Sequence, residues 1–108
     1  MLGIKSIFFE YNNEQITITI QEENSINYKG IKAELNNEKT FKYIEHLFRI
    51  IDSWQPNYID NSTTDNITWK LTITYQDNHT KEYKGKAHFP NNFEALIRLN
   101  KELISEVF

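Results

Sequence analysis

Histidines, serines and paired acids are the side chains here whose types best suit chemistry. A zinc site needs three or four ligands, often spaced His-x-x-x-His or His-Glu-x-x-His. His46, His79 and His88 show neither spacing. His79 with Asp77 is the nearest pairing, and ordinary surface or capping histidines are the expected reading. Nucleophilic catalysis needs a Ser, Thr, Lys or Cys beside a base that a third group holds. Ser6, Ser25, Ser53, Ser62 and Ser105 all lack the Gly-x-Ser-x-Gly elbow. Glu22-Glu23 would point apart in a turn, which suits solubilising charges better than an acid–base pair. The 3 glycines form no Gly-x-Gly-x-x-Gly loop. With no cysteine, disulfides, thiolate catalysis and Cys-ligated zinc are excluded. No metal and no cofactor is therefore expected, and catalysis is not.

Two polar features point toward binding. Lys81, Lys84 and Lys86 with Tyr83 form the densest basic segment. Lysines beside a stacking aromatic suit single-stranded nucleic acid. The net charge of −3 favours the plainer reading, a solvated edge strand whose lysines block unwanted pairing. No nucleic-acid partner is expected. Asn100 falls inside an apolar helical stripe, between Leu96, Ile97, Leu103 and Ile104. A buried amide must find hydrogen bonds or cost roughly 1–3 kcal/mol. A neighbouring backbone or a partner interface would satisfy it.

The elements that must carry these residues are legible from periodicity. Trp69, Leu71, Ile73 and Tyr75 alternate with Lys70, Thr72, Thr74 and Gln76, a strand with one buried face. Asp77-Asn78-His79-Thr80 supplies a turn, and Lys81–Phe89 returns as the hairpin partner. Gly85 within it suggests a bulge or a close backbone approach. Gln15–Gln21, a Glu22-Glu23-Asn24-Ser25 turn and Ile26–Glu34 repeat the pattern. An added strand, Ile4–Tyr11, joins through Asn12-Asn13. Helix one starts after Asn36-Asn37, carries Phe41, Ile44, Leu47, Phe48, Ile51 and Trp54, and stops near Gln55 before Pro56. Helix two is expected to be capped by Asn91, with Glu94 as its capping-box partner. Its stripe is Phe93, Leu96, Ile97, Leu103, Ile104 and Val107.

Self-comparison adds a repeat. A gapless shift of 55 residues lays Ile16–Gln21 on Leu71–Gln76, Tyr28-Lys29-Gly30 on Tyr83-Lys84-Gly85, and Phe41, Ile44 and Phe48 on Leu96, Leu99 and Leu103. Internal duplication is the expectation, and the paired Tyr-Lys-Gly segments read as structural. The fold expected is α+β: an antiparallel sheet of about five strands with two helices on one face, in the order βββαββα, built from two pseudo-symmetric ββα units. One domain spans 1–108, with units 1–54 and 67–108 joined by a polar linker loop at 55–66.

The second half reads Trp69-x-Leu71-x-Ile73-x-Tyr75-x-Asp77, Tyr83-x-Gly85 and Pro90-x-x-Phe93-x-x-Leu96. Over residues 67–108 this resembles a set of small uncharacterised bacterial proteins with a Trp-led strand, a hairpin, a Gly and a Pro-x-x-aromatic helix start. Asn78 stands where a Gly usually follows the turn Asp. The resemblance implies a fold and carries no activity.

A chain of 108 residues, 39% hydrophobic and 14% aromatic, suits one modest core. The first residues show no signal peptide, and no apolar run approaches the ~20 residues that span a bilayer. A cytoplasmic location and no membrane contact are expected, and the lack of cysteine suits a reducing compartment. Abundant Asn and Ile with few Ala and Gly suggest a low-GC bacterium. Three Asn-x-Ser/Thr matches, at Asn61, Asn66 and Asn78, are what chance gives in so Asn-rich a chain. The first functional expectation is a non-catalytic interaction module of immunity or accessory type. It binds a protein partner or itself through a sheet edge or the exposed side of the helices. The alternative is a small-ligand binder or minor enzyme, with its site near the 55–66 loop among Trp54, Tyr58, Asp60 and Trp69.

Overall fold

The computed structural model describes residues 3–20, 24–60, 62 and 66–108. Its elements are β1 (Ile4–Tyr11), β2 (Glu14–Thr19), β3 (Ser25–Tyr28), β4 (Ile31–Glu34), α1 (Asn37–Ile51), β5 (Asn57–Ile59), β6 (Thr68–Tyr75), β7 (Thr80–Lys86) and α2 (Phe93–Val107). Among the described residues the strands form one mixed sheet of seven, ordered β4-β3-β2-β1-β6-β7-β5. This corrects the expectation of about five antiparallel strands in the order βββαββα. Two local causes account for the extra strands.

The first is a turn inside the stretch read as one strand, Ile26–Glu34. Lys29 and Gly30 both take positive φ, 52° and 77°. Two central residues with positive φ make a tight hairpin of the type that matches strand twist. The chain therefore folds back at once, and β4 pairs with β3 from Ser25↔Glu34 to Tyr28↔Ile31. Asn12 and Asn13, at φ 49° and 69°, do the same between β1 and β2, where a turn is expected. The second cause lies in the linker. Asn57, Tyr58 and Ile59 pair in parallel with Lys84, Gly85 and Lys86. Part of the expected 55–66 loop is thus an edge strand, and β7 is an interior strand rather than the expected edge. Residues 61 and 63–65 of that loop, with the Asn61 glycosylation match, lie outside the described residues. So do Glu22 and Glu23 of the expected turn, whose Ser25 already belongs to β3.

The expected pseudo-symmetry is also corrected. Both β2 and β6 run antiparallel to β1, on opposite sides of it. They therefore share a direction, and Ile16, Ile18, Leu71 and Ile73 all turn into the same core. A rotation that preserves direction and buried face also preserves the side on which the next strand lies. Yet β3 lies outside β2 on one hand, and β7 outside β6 on the other. The matched segments are related as mirror images, which no two-fold produces. Their likeness reflects one demand met twice: a strand with a single buried face.

The core lies between the sheet and the helices. Ile7, Phe9, Ile16, Ile18, Ile26, Leu71 and Ile73 meet Leu47 and Ile51 of α1 and Phe93, Leu96 and Leu103 of α2. On the other sheet face Phe8 stands half-buried between Thr17 and Thr72. The Asn36 side chain caps α1, its Oδ1 accepting from the Lys39 backbone N–H at 2.7 Å. The expected stripe of α1 is rotated. Thr40, Tyr43, Leu47 and Ile51 are buried, while Phe41 is 67% exposed. The expected Asn91 cap of α2 is corrected as well. The residue before α2 is Asn92, left-handed at φ 68° and without a side-chain cap bond. Among the described residues no helix is long and apolar enough to cross a membrane.

Candidate functional site

Three of the residues expected near the linker do come together. The Trp54 and Trp69 ring centroids lie 5.5 Å apart, edge to face, and Tyr58 sits 6.0 Å from Trp69. Phe93 closes the group, 5.1 Å from Trp69 and stacked on Trp54 at 6.1 Å. Their polar atoms are engaged with the backbone. Trp54 Nε1 donates to the Asn91 carbonyl and Trp69 Nε1 to the His88 carbonyl, each at 2.9 Å. The Gln55 N–H donates to the Tyr58 hydroxyl at 2.7 Å. This cluster pins the chain between β7 and α2 to the end of α1 and presents no donor to a ligand. Gly85 makes room for it. A Cβ there would overlap the Trp69 indole and meet the Tyr58 carbonyl oxygen at 2.6 Å.

Asp60, the fourth residue, turns to its own loop. Its carboxylate accepts from the Ser62 hydroxyl at 2.6 Å and the Ser62 N–H at 2.9 Å. These bonds, the hydroxyl's first, hold its pKa below the ordinary carboxylate range.

Asn100 lies apart from that cluster. It is 5% exposed, and its Oδ1 accepts from the Tyr43 hydroxyl at 2.5 Å, tying α2 to α1. Burial pushes the Tyr43 phenol well above its ordinary pKa, so it stays a donor. The Asn100 Nδ2 is buried with no partner among the described residues. Asn100 also helps wall a cleft of about 290 Å³ between α2 and the strands. Phe9, Ile16, Tyr28, Ile97 and Ile104 supply its apolar walls, and exposed Glu14, Gln15 and Lys101 complete its lining.

A third feature is the outward face of α1, which the expected stripe hid by assigning Phe41 to the core. Phe41 stands exposed, with half-buried Ile44 and Phe48 one and two turns along. Beside them run two ion pairs, Lys42–Glu38 at 3.1 Å and Arg49–Glu45 at 2.6 Å. The opposite flank of α1 faces α2 across a groove walled by Lys39, Tyr43, His46, Leu99 and Glu102.

The remaining polar candidates have local roles. His79 bonds Asp77 through its ring and stacks on Tyr75 at 4.3 Å. His88 meets the Tyr58 ring edge-on at 5.5 Å. Among the described residues no group of three His, Cys, Asp or Glu is placed to hold a metal ion. Lys81 lies over the Tyr83 ring at 5.6 Å, and Lys84 and Lys70 both approach Glu82. Comparison with protein-family models, with curated proteins and with solved structures finds no match.

Proposed function

We propose that the chain is a non-catalytic protein-interaction module that docks through the outward face of α1. One observation carries this: Phe41, a large aromatic, is 67% exposed at the middle of an otherwise ordered helix face. Aromatic anchors of this kind are enriched where partners bind. The flanking Ile44 and Phe48 widen the apolar strip, and the charged pairs beside it form a polar rim. A cytoplasmic bacterial setting, and kinship with the small bacterial proteins that share the Trp-led strand and Pro-x-x-aromatic start, belong to the same proposal. The cysteine-free composition suits that setting. The test is photo-crosslinking in the cell, with benzoylphenylalanine in place of Phe41 and, as control, in place of exposed Glu94. One adduct of defined mass from position 41 and none from position 94 is expected. Equal smears from both positions would refute an α1 interface.

A second reading is favoured by the unpartnered Asn100 Nδ2. The cleft beside it suits a small neutral molecule with one carbonyl oxygen. The amide donates to an acceptor, while a buried carboxylate facing a neutral amide would be poorly compensated. About 290 Å³ is roughly ten times the ~30 Å³ share of one liquid water. Methyl heptyl ketone is a fitting probe. It should shift the Asn100 side-chain amide resonances saturably in a nitrogen-15 correlation spectrum, and its methylene isostere should bind about tenfold more weakly. Equal binding of the two compounds would remove the carbonyl from the picture.

A further inference from the structure

We infer that the partner of the α1 face is a second copy of this chain, paired antiparallel about a two-fold axis that crosses the helix between Tyr43 and Ile44. This inference rests on the reading of that face as an interaction surface, and it names the occupant.

The helix period fixes what α1 shows to the outside. At 3.6 residues per turn, Thr40, Tyr43, Leu47 and Ile51 share the core side, and all four are buried. Glu38, Lys42, Glu45 and Arg49 fall on the opposite side as one ribbon, its signs alternating along the helix. Their side chains are 45–76% exposed. Phe41 and Phe48 lie along one flank of this ribbon, on the side away from α2. Lys39 and His46 lie along the other, in the groove against α2.

A two-fold contact is isologous, so the same patch meets itself. When two helices cross antiparallel in this way, like flanks face each other, ribbon against ribbon and apolar strip against apolar strip. With the axis between Tyr43 and Ile44, Glu38 comes opposite the copy's Arg49, and Lys42 opposite the copy's Glu45. By symmetry each pair occurs twice. The same register puts Phe41 level with a point midway between the copy's Ile44 and Phe48. Each of those is two residues away, ~3 Å along the axis at ~1.5 Å per residue. Phe41 thereby enters the gap between them, and its exposed surface is covered.

The alternatives fail on charge. Sliding the copies by one residue loses both opposite-charge pairs. Sliding by one helical turn sets Glu38 against Glu45 in one direction and Lys42 against Arg49 in the other. A parallel pairing about an axis along the helix sets every charge against itself. Like charges so placed disfavour a contact as opposite charges favour it, so the ribbon selects one register. The contact is one helix wide and its ion pairs are exposed, so the dimer should be weak and salt-sensitive.

Two charge-block variants of the full chain test this. One, Lys42→Glu with Arg49→Glu, makes the ribbon wholly acidic; the other, Glu38→Lys with Glu45→Lys, makes it wholly basic. All four positions are exposed, and circular dichroism checks that both variants remain folded. In sedimentation equilibrium at low salt the wild type should self-associate. Each block alone should associate at least about tenfold more weakly than the wild type. An equimolar mixture should recover the association as a one-to-one pair, and Phe41→Asp should abolish it. A wild type that stays monomeric, or blocks that self-associate as well as the wild type, would overturn the inference. Crosslinking at position 41 separates the two levels. An adduct of twice the chain's mass supports the second copy. An adduct with a different protein overturns the second copy while the α1 interface stands.

Discussion

The turn after β6 shows how much one side chain can hold in place. Asp77 accepts the His79 backbone N–H at 3.1 Å and also bonds the His79 ring. These bonds, the backbone's first, lower its pKa from the ordinary 3.8. A carboxyl whose pKa is depressed by folding adds stability above its unfolded value, and loses it as pH falls through the folded value. The Asp77 carboxyl carbon should therefore titrate below 3.8 by NMR, as should that of Asp60, whose pKa is lowered too. Asp77→Asn should be less stable than the wild type at neutral pH and equal to it below the folded pKa. Glycine gives a second residue-scale test. Gly85 and Gly30 occupy matching places in the sequence repeat but do different work. At Gly85 an added methyl meets the Trp69 indole and the Tyr58 carbonyl oxygen. At Gly30 it meets open space, but at φ 77°. In urea titrations Gly85→Ala should cost about 3 kcal/mol, the upper part of the overpacking range. Gly30→Ala should cost about 1–2 kcal/mol, the left-handed penalty alone.

Capping separates two asparagines that look alike in sequence. Asn36 caps α1 with its side chain, so Asn36→Ala should cost about 1 kcal/mol. Asn91 gives only its carbonyl, to Trp54, and alanine keeps that carbonyl. Asn91→Ala should be nearly neutral by the same chemical denaturation, whereas a true cap would make the two losses equal. Sequence signals of this kind were legible where one local rule acted alone. The strand Ile4–Tyr11 and the Asn12-Asn13 turn follow from alternation and from asparagine's tolerance of positive φ. They failed where two rules competed. Lys29-Gly30 lacks the asparagine that marks such turns, so β3 and β4 read as one strand. The phase of α1 was misjudged because Phe41 and Phe48 are more apolar than Thr40 and Tyr43, which tertiary packing buries instead. That same error concealed the interaction face. Three of the linker aromatics were rightly grouped, since aromatics around a Pro-containing turn collect. That their polar atoms answer to the backbone depends on contacts between residues as distant as Trp54 and Asn91. Strand order has no local signature at all, and β5 pairs with a strand that follows it by more than twenty residues.

The whole molecule is a slab of 43 × 30 × 21 Å, its thin dimension fitting two layers, one of helices and one of sheet. Its pairing is graded from the middle outward. Strand β1 pairs along its length with β2 on one side and β6 on the other, and it carries fully buried Ile7 and Phe9. It also joins the two halves of the chain, since β1–β6 is the contact between the N-terminal hairpins and the C-terminal one. At the edges β4 has four residues paired on one side, and β5 has three. Short edges of this sort open locally, whereas a doubly paired central strand is freed only when the core is. Native-state hydrogen exchange should therefore rank the amides by position in the sheet. Those of β1 and β6 should be slowest and follow the global stability, ~5–15 kcal/mol for a domain of this kind. Those of β4 and β5 should exchange orders of magnitude faster, with little dependence on denaturant. If protection in β4 equalled that in β1, its outer edge would have to be covered in solution. The interface would then belong on the sheet edge instead of on α1. Slow exchange confined to the centre, with the α1 amides near Phe41 slowing as protein concentration rises, would place the contact on the helix.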